Sequence, residues 1–105
     1  MALIKRTGSF LGFTNFTTAE DGVPEILKIP PLDSGHKISV TAIPGANTAL
    51  VEHTTSPDAD VESSATWQEW PHSSVTATTS DVISSPITGL RFIATGGQCS
   101  FEVVI

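Results

Sequence analysis

The chain has little of what catalysis, membrane insertion or nucleic-acid binding requires. Among its 105 residues there is one cysteine, one methionine and no tyrosine. The single cysteine, Cys99, excludes an internal disulfide, and its inward position in an alternating strand marks it as a small buried thiol. Lys and Arg number five against eleven Asp and Glu, which leaves a net charge of −6. The five cations are scattered at Lys5, Arg6, Lys28, Lys37 and Arg91. Contact with phosphates needs a clustered basic surface to displace counterions, so no nucleic-acid partner is expected. No apolar run approaches the roughly 20 residues that cross a bilayer as a helix, and no membrane partner is expected. Met1 to Gly8 has neither a charged lead into an apolar core nor a small-residue cleavage site, so no signal peptide is expected and synthesis is expected in the cytoplasm.

Chemical motifs are equally scarce. There is no Gly-x-Ser-x-Gly elbow, no phosphate-binding glycine loop and no nucleotide fingerprint. His36, His53 and His72 are too far apart for a local zinc spacing, with only one cysteine to join them. Asp58, Asp60 and Glu62 alternate in a loop, but Ser63 stands where a calcium loop needs its glycine, so they read as the solvated start of a strand. Accordingly no catalytic residue, no metal and no cofactor is expected. The expected protein is not an enzyme.

What the chain does have is Ser and Thr, about a quarter of all residues, while charged residues are 15%. Thr and Val favour pleated sheets, and no stretch of a dozen residues keeps a helical period without Pro, Gly or β-branched interruption. From His36 onward the alternation is regular. Ile38, Val40 and Ala42 share one face against Lys37, Ser39 and Thr41. Pro44-Gly45 predicts a turn after which Thr48 to Thr55 returns as the second arm of a hairpin. Further strands are predicted around Val61–Trp67, Ser74–Thr79, Asp81–Ile83 and Ile87–Thr95. The last pair is predicted in most detail. Gly96-Gly97 suits a tight hairpin turn, so Thr95 should face Gln98, Phe92 should face Phe101 and Arg91 should face Glu102. The fold class is therefore all-β, a single antiparallel β-sandwich of jelly-roll-like or immunoglobulin-like kind. Residues 35–105 form that domain. Residues 1–34 are expected as an extended N-terminal arm with one short strand at Glu25–Ile29, ended by Pro30-Pro31, and loss of residues 1–20 is expected to leave the fold intact but abolish assembly.

The aromatic residues are the candidate contacts. Trp67 and Trp70 lie three apart beside Pro71, so in extended chain they point to opposite faces. One should enter the core, and the other is a candidate platform for a partner subunit or a sugar ring. Phe10, Phe13 and Phe16 recur every three residues along the arm and are expected to hook onto the domain or a neighbour. The outer face of the final strands is not wholly polar, because Ile93 and Val104 accompany Arg91 and Glu102, which predicts a neighbour for that sheet. The partner-binding residues expected are thus Phe10, Phe13, Phe16, Trp67, Trp70 and Ile93.

Three segments carry a family resemblance: Val51-Glu52-His53-Thr54-Thr55-Ser56-Pro57, then Trp67-x-x-Trp70 followed by Ser74-Val75-Thr76, then Pro86-Ile87-Thr88-Gly89-Leu90-Arg91-Phe92 before a glycine turn. Together they resemble small β-sandwich virion structural proteins of tailed bacteriophages, of the capsid decoration or cement kind. The resemblance implies a non-enzymatic protein on the capsid exterior, made in the host cytoplasm. Its implied partners are the major capsid protein and copies of itself, with capsid symmetry suggesting a trimer. The alternatives are a carbohydrate-binding module using Trp67 or Trp70, and a tail or head-tail connector component.

Overall fold

A computed structural model describes residues 3–5, 13–18, 21, 23–29, 32–57, 60, 61 and 63–105. Among these, the strands in chain order are β1 (Leu3–Lys5), β2 (Phe13–Thr18), β3 (Glu25–Lys28), β4 (Lys37–Ile43), β5 (Thr48–Thr54), β6 (Gln68–Glu69), β7 (Thr79–Ser84), β8 (Gly89–Thr95) and β9 (Cys99–Val104). They form two sheets. Sheet A has the order β1-β3-β8-β5-β6 and sheet B the order β2-β9-β4-β7. The pairings are antiparallel except β1 with β3, which run parallel. The all-β sandwich expected from alternation is the fold observed.

Alternation placed the core correctly. Leu27, Ala49, Val51, Leu90, Phe92 and Ala94 face inward from sheet A, while Ile38, Val40, Ala42, Phe101 and Val103 face inward from sheet B, all fully buried. The centre of the core is the Phe92–Phe101 contact, with ring centroids 4.9 Å apart and tilted by 45°. Such an aromatic pair adds about 1 kcal/mol to what its buried area contributes.

Strand pairing differs from the sequence expectation, and most at the end of the chain. β8 and β9 are not a hairpin: β8 lies in sheet A between β3 and β5, and β9 lies in sheet B between β2 and β4. Gly96 and Gly97 have φ of 90° and 151°, and Gly97 is thereby outside the values of a tight two-residue turn. The chain crosses from one sheet to the other there. Phe92 and Phe101 do meet, but across the core rather than side by side. Arg91 faces Glu52 on β5, and Glu102 faces Thr41 on β4. The Pro44-Gly45 turn is likewise a sheet crossing, since β4 belongs to sheet B and β5 to sheet A. Asn47 donates from Nδ2 to the Gln98 carbonyl at 2.9 Å and so clips the two corners together. The Gly96 N–H is held by the Asp21 carboxylate at 2.9 Å.

Two predicted strands are absent as such. Between Asp60 and Trp67 the described chain is a turn, with Ser63 and Ser64 N–H both donating to the Asp60 carbonyl. Ser74–Thr79 contributes a single bridge, Val75 with Ala49, before β7 begins. Among the described residues of the first 34 there are three strands where one was expected. β3 is where the sequence placed it, whereas β1 and β2 are additional, β2 running along the whole of β9 from Phe13↔Val104 to Thr18↔Cys99. Pro30, Pro31, Asp58 and Glu62 lie outside the described residues.

Candidate functional site

Hydroxyl groups anchor the segment that carries the first tryptophan. The Thr54 hydroxyl donates to the Thr66 carbonyl at 2.7 Å and accepts from the Ser56 N–H at 3.0 Å. Ser56 Oγ accepts from the Thr66 N–H at 2.9 Å, and the Thr88 hydroxyl donates to the Ser56 carbonyl at 2.5 Å. Short Ser and Thr side chains satisfy backbone groups that no ladder serves. The loop is thereby folded over the outer face of sheet A, where Val61 is buried. Gly89 leaves room for it: an added Cβ there would lie 2.9 Å from Val61 Cγ1 and 3.3 Å from Trp67 Cη2.

Beside Gly89, Arg91 is held from two sides. Its Nε donates to Glu52 Oε1 at 2.7 Å, and its Nη2 lies 2.6 Å from the same oxygen in an ion pair. Its guanidinium carbon lies 4.6 Å from the centroid of the Trp67 ring. Glu52 is buried and Trp67 half-buried, so the stack is a clamp that fastens the loop to the sheet. Trp70, three residues on, is core at 1% exposure. Its backbone N–H donates to the Val51 carbonyl, and Nε1 donates to the Ser73 carbonyl at 2.7 Å. His72 stacks edge-on against that ring at 5.0 Å and contacts Asp81 of β7 through Nε2 at 3.0 Å. This closes the gap between the sheets at the β7 edge.

Of the expected contact residues, the structure therefore removes Trp70, which is buried and hydrogen-bonded within the fold. Trp67 is half-buried, with the Arg91 guanidinium stacked on its ring. Ile93 is half-buried on the outer face of sheet A, opposite Leu50. Phe13 and Phe16 belong to β2 rather than to an arm, in register with Val104 and Phe101. Phe10 lies outside the described residues. A shallow cleft of about 80 Å³ among His53, Thr54, Thr55, Ser56, Thr66 and Gln68 is polar and has room for two or three waters. Among the described residues no three His, Cys, Asp or Glu side chains come together as metal ligands do. Burial pushes the Cys99 thiol above its ordinary value near 9, and its sulfur lies 3.4 Å from the Thr48 carbonyl.

The outer face of sheet B is different in kind. Its central row is Val104 on β9, Ser39 on β4 and Val82 on β7, joined by the registers Ser39↔Val104 and Ser39↔Val82. Val82 and Val104 are 48% and 46% exposed and are the large hydrophobic side chains left open to solvent among the described residues. Around them stand hydroxyls, with Thr41 and Ser80 hydrogen-bonded to each other at 2.7 Å. By strand alternation the charges on this face are Lys37 and Glu102, one of each sign, in a chain whose net charge is −6. Sequence reasoning placed Glu102 beside Val104 but not Val82 or Lys37. Alternation marks each as outward, yet only strand order puts them on one surface.

No family model matches the chain, and no curated protein matches it. Among solved structures it is similar to the pre-peptidase C-terminal domain of collagenase from Bacillus anthracis, at 10% identity over 99% of this chain and 93% of that one, with a TM-score of 0.47.

Proposed function

We propose that the protein is a non-enzymatic structural subunit of a tailed-bacteriophage virion, a decoration or cement protein on the capsid exterior. It acts by burying surface against the major capsid protein and against copies of itself, which ties neighbouring shell subunits together without chemistry. The observation that carries this reading is the outer face of sheet B. In an acidic protein it is a patch of balanced charge on which two valines stand half-exposed among hydroxyls. The resemblance of residues 51–92 to small virion proteins supplies the context. A sugar platform is the weaker reading, because Trp70 is buried and Trp67 is stacked under Arg91.

The test is reconstitution. Purified protein added to capsids that lack it should co-sediment with them and raise the temperature at which they break open. Protein that stays in the supernatant at saturating concentration, or that binds a glycan array with Trp67-dependent affinity, would sink the proposal.

A further inference from the structure

We infer that the outer face of sheet B is a self-recognition surface on which a second copy of this chain docks face to face about a two-fold axis. The inference rests on the reading of that face as a contact surface and adds its occupant. The argument is positional. Lys37 lies two residues to one side of the Val104–Ser39–Val82 row on β4, and Glu102 lies on the other side, beside Thr41. Among the described residues neither is engaged in an ion pair within the chain. A two-fold axis along the row turns the face over so that each valine meets its counterpart. The same rotation brings Lys37 of one copy above Thr41 of the other, one strand, about 4.8 Å, from that copy's Glu102. Two such pairs form by symmetry, as an isologous interface requires. The charge pattern is therefore complementary to itself, whereas the rest of a −6 chain repels its own kind.

At the β7 edge of this sheet the structure opposes an alternative, edge-to-edge pairing of two copies. β7 ends sheet B and carries Asp81 in mid-strand, where an antiparallel copy would bring a second Asp81 close. A face four strands wide and six residues long measures roughly 19 by 20 Å. That is small for a permanent interface, so the pair is expected to form reversibly at micromolar concentrations. It is a pair, where capsid symmetry alone suggested a trimer.

Sedimentation equilibrium between about 1 and about 500 micromolar tests this, with near-ultraviolet circular dichroism of the buried Trp70 reporting that each variant is folded. The unaltered chain should dimerise reversibly. Lys37→Glu and Glu102→Lys should each weaken the dimer by about tenfold or more, and the two together should restore it to within about threefold. Val82→Glu with Val104→Glu should leave a folded monomer. A chain that is monomeric throughout, or a double charge reversal no tighter than the singles, overturns the inference. Capsid co-sedimentation is scored separately. An unaltered chain that is monomeric yet binds capsids overturns the self-pairing and leaves the virion reading standing, while an unaltered chain that dimerises but ignores capsids supports the pairing and removes the virion reading.

Discussion

Arg91 shows how one side chain can hold a loop, a sheet and an aromatic ring together. Its Nε hydrogen bond and its Nη2 ion-pair contact reach the same Glu52 oxygen, and its guanidinium also stacks on Trp67. Glu52→Ala would leave a largely buried guanidinium without its counter-ion, and a loss of about 2 kcal/mol is expected in urea unfolding, together with a shifted Trp67 fluorescence maximum. Cys99 makes a second residue-scale prediction. Because burial raises its thiol above the ordinary value near 9, the unfolded chain ionises first as pH rises. The folded state then holds the extra proton, so stability should be intact below pH 9 and fall above it. A Cys99→Ser variant should lose that alkaline slope in a denaturation series. In the native protein the thiol should be inert to a disulfide reagent at neutral pH and react once unfolded.

At the scale of elements, the loop over Gly89 is the part most sensitive to volume. Gly89→Ala places a methyl 2.9 Å from Val61 Cγ1, and a cost of about 1 to 2 kcal/mol is expected. Combined with Val61→Ala it should cost less than the sum of the two single changes, which a double-mutant cycle measures directly. The strands themselves were legible wherever alternation was regular: β4, β5, β8 and β9 lie where the sequence predicted them, to within a residue or two at their ends. The predicted strand at 61–67 failed because the Ser63 and Ser64 N–H groups close a turn on the Asp60 carbonyl and the backbone of Thr66 is held by the Thr54 and Ser56 side chains, which composition alone does not distinguish from a pleated segment.

For the whole molecule, the decisive difference lies in the first twenty residues. The sequence suggested an arm needed for assembly but not for folding, whereas β2 pairs with β9 over six residues and β1 extends sheet A. Deleting residues 1–20 is now expected to uncover β9 and cost several kcal/mol, a large share of the roughly 5 to 10 kcal/mol typical of a domain this size. Thermal unfolding would show it as a strongly lowered midpoint, and an unchanged midpoint would return the segment to the status of an arm. The candidate site was legible only in fragments. Val104 and Ile93 stood out as apolar residues on a polar face, and the structure places them on opposite outer surfaces, Val104 on sheet B and Ile93 on sheet A.

Period-two alternation, by itself, determined the fold class and the inward residues, because parity along a strand decides which side chains can leave water whatever the strand's neighbours are. It could not decide neighbours. A hairpin and a sheet crossing bury the same Leu90, Phe92, Phe101 and Val103, so the pattern is identical for both. Only tertiary structure put β8 and β9 in different sheets and gave Arg91 to Glu52 rather than Glu102. The same placement set Val82 beside Val104 on one open face, because pairing partners are chosen by the packing of the two whole sheets and by corners held through Asn47 and Asp21, not by any local stretch of chain.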